Sequence, residues 1–151
     1  MSSPRTDTTA EPSLVHRVLG IARRVGTSEA TVARALGLSQ RQLQRRWQES
    51  GNARLEEFLV ELRFRNAVEL LTILGSVKEA ALYAGYPSAA PFCREFVRSQ
   101  GVSPGRFFRR YRADQPYWND PELRPARLTM QAETRAFCAG ILRRASEKRC
   151  S

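Results

Sequence analysis

The sequence predicts an all-α fold built on a duplicated helix-turn-helix unit, and three observations carry that prediction. Apolar residues recur at helical spacing along nearly the whole chain after residue 12. Serines able to cap a helix and glycines able to end one alternate along the same stretch. Finally, the pattern of "GLSQRQLQRRW", Gly37 to Trp47, returns as "GYPSAAPFCREF", Gly85 to Phe96. No segment reads as a strand.

The elements follow in order. Residues 1–12 are polar and proline-containing, the composition of a disordered N-terminus. Ser13 can cap a first helix with Leu14, Val15, Val18, Leu19 and Ala22 on one side, ending near Val25 and Gly26. A short helix from Thr27 or Ser28 to Leu36 is closed by Gly37, and the next, Gln40 to about Ser50, by Gly51. Ser39 with Gln42 three residues on forms a capping-box pattern. From Ala53 to Leu74 one stripe, Leu55, Phe58, Leu59, Leu62, Val68, Leu71 and Leu74, predicts a helix of about 20 residues and roughly 30 Å. Gly75 ends it, and Ser76 with Glu79 makes a second capping-box pattern. That helix runs to Ala84, another from Ser88 to about Gln100, and a last short one from Pro104 through Tyr111 behind Ser103.

Each copy of the repeat has an inward alanine (Ala33, Ala81), a glycine turn (Gly37, Gly85) and a pair of large apolar anchors at i and i+4 (Leu43 and Trp47; Phe92 and Phe96). Small residues let the helices cross closely, and the anchors turn the opposite face of the second helix outward. On the first copy that outward face carries Arg41, Gln44, Arg45 and Gln48. Two such units on a linker of about 30 Å can address successive major-groove turns about 34 Å apart.

Charge points the same way. The 151 residues hold 25 Lys+Arg against 15 Asp+Glu, a net charge of +10 that favours a polyanionic partner. Only Lys78 and Lys148 are lysines, so the basic groups are mostly guanidinium forks, although a GC-rich genome would enrich arginine too. Cys93, Cys138 and Cys150 are odd in number and widely spaced, and His16 is the one histidine, which speaks against a zinc site or a disulfide framework. There is no nucleophile–base pair, no paired-carboxylate motif and no phosphate-cradling glycine loop, so no catalytic residues, metal or cofactor are expected. No apolar run approaches the roughly 20 residues of a membrane span, and a cytoplasmic protein is expected.

The run from about Leu14 to Arg112 resembles the DNA-binding domain of the AraC/XylS transcription regulators. "EAALYAGYPSAAPFCREFVRSQGVSPGRFFRRYR" carries the pattern, with Ala81, Gly85, Tyr86, Phe92, Arg94, Phe96, Gly101, Pro104 and Phe107 in place. Glycine to anchor is six residues in the first copy and seven in the second, an asymmetry the family shares. The resemblance implies a seven-helix domain over 13–112 and a sequence-specific regulator of double-stranded DNA, an activator contacting RNA polymerase. It implies base reading by Arg41, Gln44 and Arg45 in the first unit and by Ala89, Ala90 and Arg94 in the second. Arginine suits guanine and glutamine adenine, whereas alanine can only touch a thymine methyl or make room. Direct reading is therefore expected to concentrate in the first unit, the second serving as scaffold and clamp. Arg46, Arg98, Arg106, Arg109 and Arg110, at the edges and ends of the motif helices, are expected on phosphates. Phe92, Phe96, Phe107 and Tyr111 are expected in the core.

Two features depart from the usual family pattern. Only twelve polar residues precede the domain, where most members have a sensor, so a stand-alone type without a small-molecule effector is expected. The extension 113–151 predicts a turn of helix at Asp120 and Pro121 and an amphipathic helix from about Thr129 to Ser146, with Met130, Thr134, Phe137 and Ile141 on one stripe. Packing of that stripe on the core, with Tyr117 and Trp118 pinning the connection, is the first expectation. A docking or dimer surface over 129–146 is the other. The rival to a regulator is a protein-interaction module on the same fold, such as an antagonist or nucleoprotein-complex subunit that binds DNA weakly.

Overall fold

A computed structural model of the chain describes residues 13–25, 27–51 and 54–150, with side chains except at 23–25 and 144–150. The expectations for residues 1–12, for a stop at Gly26 and for a helix start at Ala53 lie outside the described residues. The described chain is helical, with no strand: α1 (Leu14–Val25), α2 (Glu29–Ala35), α3 (Gln40–Glu49), α4 (Leu55–Leu74), α5 (Val77–Ala84), α6 (Ala89–Gln100) and α7 (Pro104–Ala113). A four-residue α8 (Pro116–Asn119), a 3-10 turn (Pro121–Leu123) and α9 (Arg124–Cys150) follow.

The duplication is geometric as well as sequential. After α2 the Leu38 amide returns to the Ala33 carbonyl at 2.9 Å, and after α5 the Tyr86 amide returns to Ala81 at 3.0 Å. This closure needs a left-handed residue between, supplied by Gly37 (φ 73°) and Gly85 (φ 105°). Because Ala33 and Ala81 are also buried, each second helix can pack closely on its first.

Helix α4 serves two cores with its two halves. Leu55 and Leu59, with Phe58 beside them, join Val18, Ile21, Val32, Leu43 and Trp47 in the first. Farther along, Ala67 joins Ala81, Tyr86, Phe92 and Phe96 in the second, while Leu71 meets Ala80 and Phe108 in a third beneath α7. Phe107 and Tyr111 pack on these clusters, as expected of core aromatics. The two units also touch. Arg63 of α4 donates Nε to Thr27 Oγ1 at 3.2 Å and lays its guanidinium 5.6 Å from the ring centre of Tyr86.

Tyr86 is 7% exposed, and its hydroxyl is buried without a hydrogen-bond partner among the described residues. Burial, helped by nearby Glu95, pushes its phenol above the ordinary value and keeps it neutral. A buried hydroxyl without a partner contributes nothing to offset its desolvation, so Tyr86→Phe should leave stability unchanged or raise it by up to about 1 kcal/mol. Chemical denaturation checks this; a loss of about 1 kcal/mol or more would mean that the hydroxyl has a partner.

The extension packs back on the core. Trp118 donates Nε1 to the Thr72 carbonyl at 3.1 Å and Gln131 donates Nε2 to Ile73 at 3.0 Å, with Tyr117 Oη on the same Ile73 oxygen at 3.4 Å. These carbonyls belong to the last turn of α4, which has no intrahelical donors left for them. The extension thus caps the linker helix with side chains. Trp118 also stands edge-on to Phe108, with centroids 5.1 Å apart.

Three expectations need correction. Helix α9 begins at Arg124 rather than near Thr129, because Asp120 caps the turn before it and Pro125 falls in its first turn, where a missing amide costs nothing. Its inward face is Gln131, Thr134, Arg135, Cys138 and Ile141, whereas Met130 and Phe137 are 48% and 56% exposed. The stripe is rotated toward polar residues because the surface it meets offers carbonyls and a carboxylate. Lastly, Ser76 accepts the Glu79 amide, but the Glu79 carboxylate does not complete the box. It receives a two-pronged bond from Arg135 of α9 at 2.8 and 3.0 Å.

Candidate nucleic-acid interface

Helix α3 is fixed at its start by a complete capping box, with Ser39 Oγ accepting from Gln42 N at 3.1 Å and Gln42 Oε1 from Ser39 N at 2.9 Å. Its anchors are buried, Leu43 at 0% and Trp47 at 1% exposure, and Trp47 packs on Phe58 with centroids 4.8 Å apart. With start and underside both fixed, the outward residues have defined directions. Arg41, Gln44, Arg45 and Gln48 are all exposed and border one shallow depression with Ser39 and Gln42. Gln44 donates Nε2 to Glu29 Oε1 of α2 at 2.7 Å, which orients the amide and turns its oxygen away from the carboxylate. Nothing local in the sequence announces Glu29, fifteen residues earlier.

Helix α6 is anchored equally well, by Phe92 (0%) and Phe96 (1%), but Ser88 makes no side-chain cap bond. Counting from the anchors pairs Arg41 with Ala90, Gln44 with Cys93, Arg45 with Arg94 and Gln48 with Val97. Ala90, Arg94 and Val97 are exposed and Cys93 is half-buried. Ala89, expected on this face, instead packs half-buried against the second core, three residues before Phe92 and so on its side of the helix. Cys93 and Val97 were not among the base-reading positions implied for this helix, although the anchor register contains them.

The arginines flanking the two helices are also exposed: Arg46 on α3, Arg98 near the end of α6, and Arg106, Arg109 and Arg110 along α7. Arg98 pairs with Glu95 at 3.1 Å. The other described ion pairs use Arg54, Arg65 and Arg135, so among the described residues no carboxylate pairs with Arg41, Arg45, Arg46, Arg94, Arg106, Arg109 or Arg110. No group of side chains among the described residues could hold a metal ion, and no described helix is long and apolar enough to cross a membrane.

Two helix-turn-helix units on a shared linker, each with an anchored second helix facing out, define a DNA-binding protein of the double helix-turn-helix class. A helix-turn-helix domain family matches residues 32–110, more than half of the chain. The chain belongs to this AraC-type helix-turn-helix family of DNA-binding transcription regulators. Among solved structures it is similar to a DNA-binding transcriptional dual regulator from Escherichia coli K-12, at 25% identity and a TM-score of 0.55, covering 69% of this chain and 96% of that one. A search of curated proteins finds no significant match.

Proposed function

We propose that this protein is a sequence-specific transcription activator of the bacterial cytoplasm that contacts RNA polymerase and reads base edges mainly through α3. The contrast between the two outward faces carries the proposal: Arg41, Gln44, Arg45 and Gln48 on α3 against Ala90, Cys93, Arg94 and Val97 on α6. Arginine forks match guanine O6/N7 and the glutamine amide matches adenine N6/N7, whereas the α6 face offers one charged group among small and apolar ones. In this reading Arg94 and Ala90 meet the second half-site with little discrimination. Arg46, Arg98, Arg106, Arg109 and Arg110 hold phosphates and set the register of the protein on the duplex. Contact with a protein partner or a second copy through 129–146 would use Met130 and Phe137, which stay exposed on α9 seven residues apart.

Selection of bound sequences from random DNA, followed by titration of variants, tests the assignment. Gln44→Ala and Arg45→Ala should each cost about 1–3 kcal/mol at the preferred site and much less on random DNA, flattening preference in one half-site. Arg94→Ala should weaken all sequences alike and reduce the salt slope by about one if the group sits on phosphate. A second half-site selected as sharply as the first, lost on Arg94→Ala while Gln44→Ala and Arg45→Ala leave preference intact, would overturn the proposal. A protein-interaction module on the same fold differs in a simple way: it would bind DNA weakly at any sequence. A regulator with several phosphate contacts loses affinity steeply between about 50 and 200 mM salt.

A further inference from the structure

Where α9 crosses the core it does not close against it completely. A cavity of about 490 Å³ remains, within the range of roughly 300–1,000 Å³ typical of small-molecule sites and far above ordinary packing voids. Its apolar lining comes from Leu70 and Ile73 of α4, Ala84 of α5 and Ile141 of α9. Phe137 stands at its edge, 56% exposed, rather than folding in to fill it. Two carboxylates line it as well, Glu69 and Glu133, both exposed toward solvent. Among the described lining residues there is no arginine or lysine, and the Arg63 guanidinium next to the cavity is bonded to Thr27 at 3.2 Å. The Cys138 thiol on the same wall is pushed up by burial and stays neutral.

We infer that this cavity binds a small organic cation, an apolar or aromatic body carrying one ammonium or amidinium group. The apolar floor takes the body, Glu69 and Glu133 attract the charge, and the face of Phe137 offers a further surface to a cation. The same two carboxylates repel phosphate, which separates this site from the DNA-facing surface. A ligand here would touch both units at once, since Ala22 and Thr27 on one side and Tyr83 and Ala84 on the other line the space. The sequence alone does not show this cavity, because it is formed by residues from four separate stretches of chain.

Three probes of similar size test the inference on the full chain without DNA: 1-naphthylmethylamine, protonated at neutral pH, 1-naphthylmethanol and 1-naphthoate, titrated by calorimetry. The amine should bind saturably at roughly 0.1–1 mM, the range expected for a ligand of about twelve heavy atoms. It should exceed the alcohol by about fivefold or more at low salt, with the naphthoate weakest, and the gap should narrow as salt rises. Replacing the two exposed carboxylates together, Glu69→Gln with Glu133→Gln, should bring amine and alcohol to equal affinity while leaving the melting temperature unchanged. Thr134→Trp, which fills the space from α9, should abolish binding of both. Equal affinity for amine and alcohol in the unaltered protein, a preference for naphthoate, or no binding of any probe up to about 1 mM overturns the inference. So does amine binding that survives Thr134→Trp.

Discussion

Truncation after Arg112 should lower the melting temperature by roughly 15 °C or more while leaving the oligomeric state unchanged. The expectation rests on what the removed residues do for α4. Trp118 seals the third core against Phe108, and a single well-packed tryptophan contributes about 3–5 kcal/mol by truncation. Removing the extension also takes the donors from the Thr72 and Ile73 carbonyls and leaves Glu79 without Arg135. A total of about 4 kcal/mol or more is therefore expected, a large share of the stability of a domain this size. Differential scanning calorimetry with light scattering reads both quantities. An unchanged melting temperature, or a stable monomer released from a full-length dimer, would mean that the extension serves association instead of the core.

The second large effect is at Gly75. Its φ is 72°, and a Cβ built there would lie 2.7 Å from Trp118 Cη2 and 3.1 Å from Phe108 Cζ. Gly75→Ala adds the left-handed backbone penalty, roughly 1–2 kcal/mol, to the overpacking of two rings held by their neighbours, roughly 1–3 kcal/mol. A destabilisation of about 2–5 kcal/mol follows. Gly101 is the control, since its φ of 78° is similar but nothing lies within 4 Å of its added Cβ, so Gly101→Ala carries the backbone penalty alone. In the chain truncated after Arg112 the contact with Trp118 is gone, and the penalty at Gly75 should move toward that at Gly101. Equal effects at the two glycines in the full-length protein would show that Trp118 moves aside without loss.

The helix-turn-helix frame was legible because its signals are local. Ser39 bonds the amide three residues on, and Gly37 and Gly85 supply the backbone that Ala33 and Ala81 need to close their turns. The anchors Leu43, Trp47, Phe92 and Phe96 followed from spacing alone, since their burial is the only way to hide those side chains. The errors came where a distant partner decided the outcome. Glu79 fits a capping box by sequence, yet Arg135, 56 residues later, offers a stronger bond. Met130 and Phe137 look like a core stripe, but α9 meets the Ile73 carbonyl and the Glu79 carboxylate and turns Gln131 and Arg135 toward them. Ala89 was placed outward by the family resemblance, and one residue of register on a helix is a 100° rotation.

The bond from Arg63 to Thr27 and its stacking over Tyr86 tie the first unit to the turn of the second, and α9 braces α1, α4 and α5 from the other side. With both outward helices on the duplex as proposed, this bracing holds their spacing. Any mismatch between their spacing and the natural pitch of the duplex must then be absorbed by curvature of the DNA. The energy of that curvature depends on which base steps lie between the two contacted grooves, TA and CA/TG being the most compliant. Spacer sequence that no side chain reaches should thus grade the affinity of this protein for its operators.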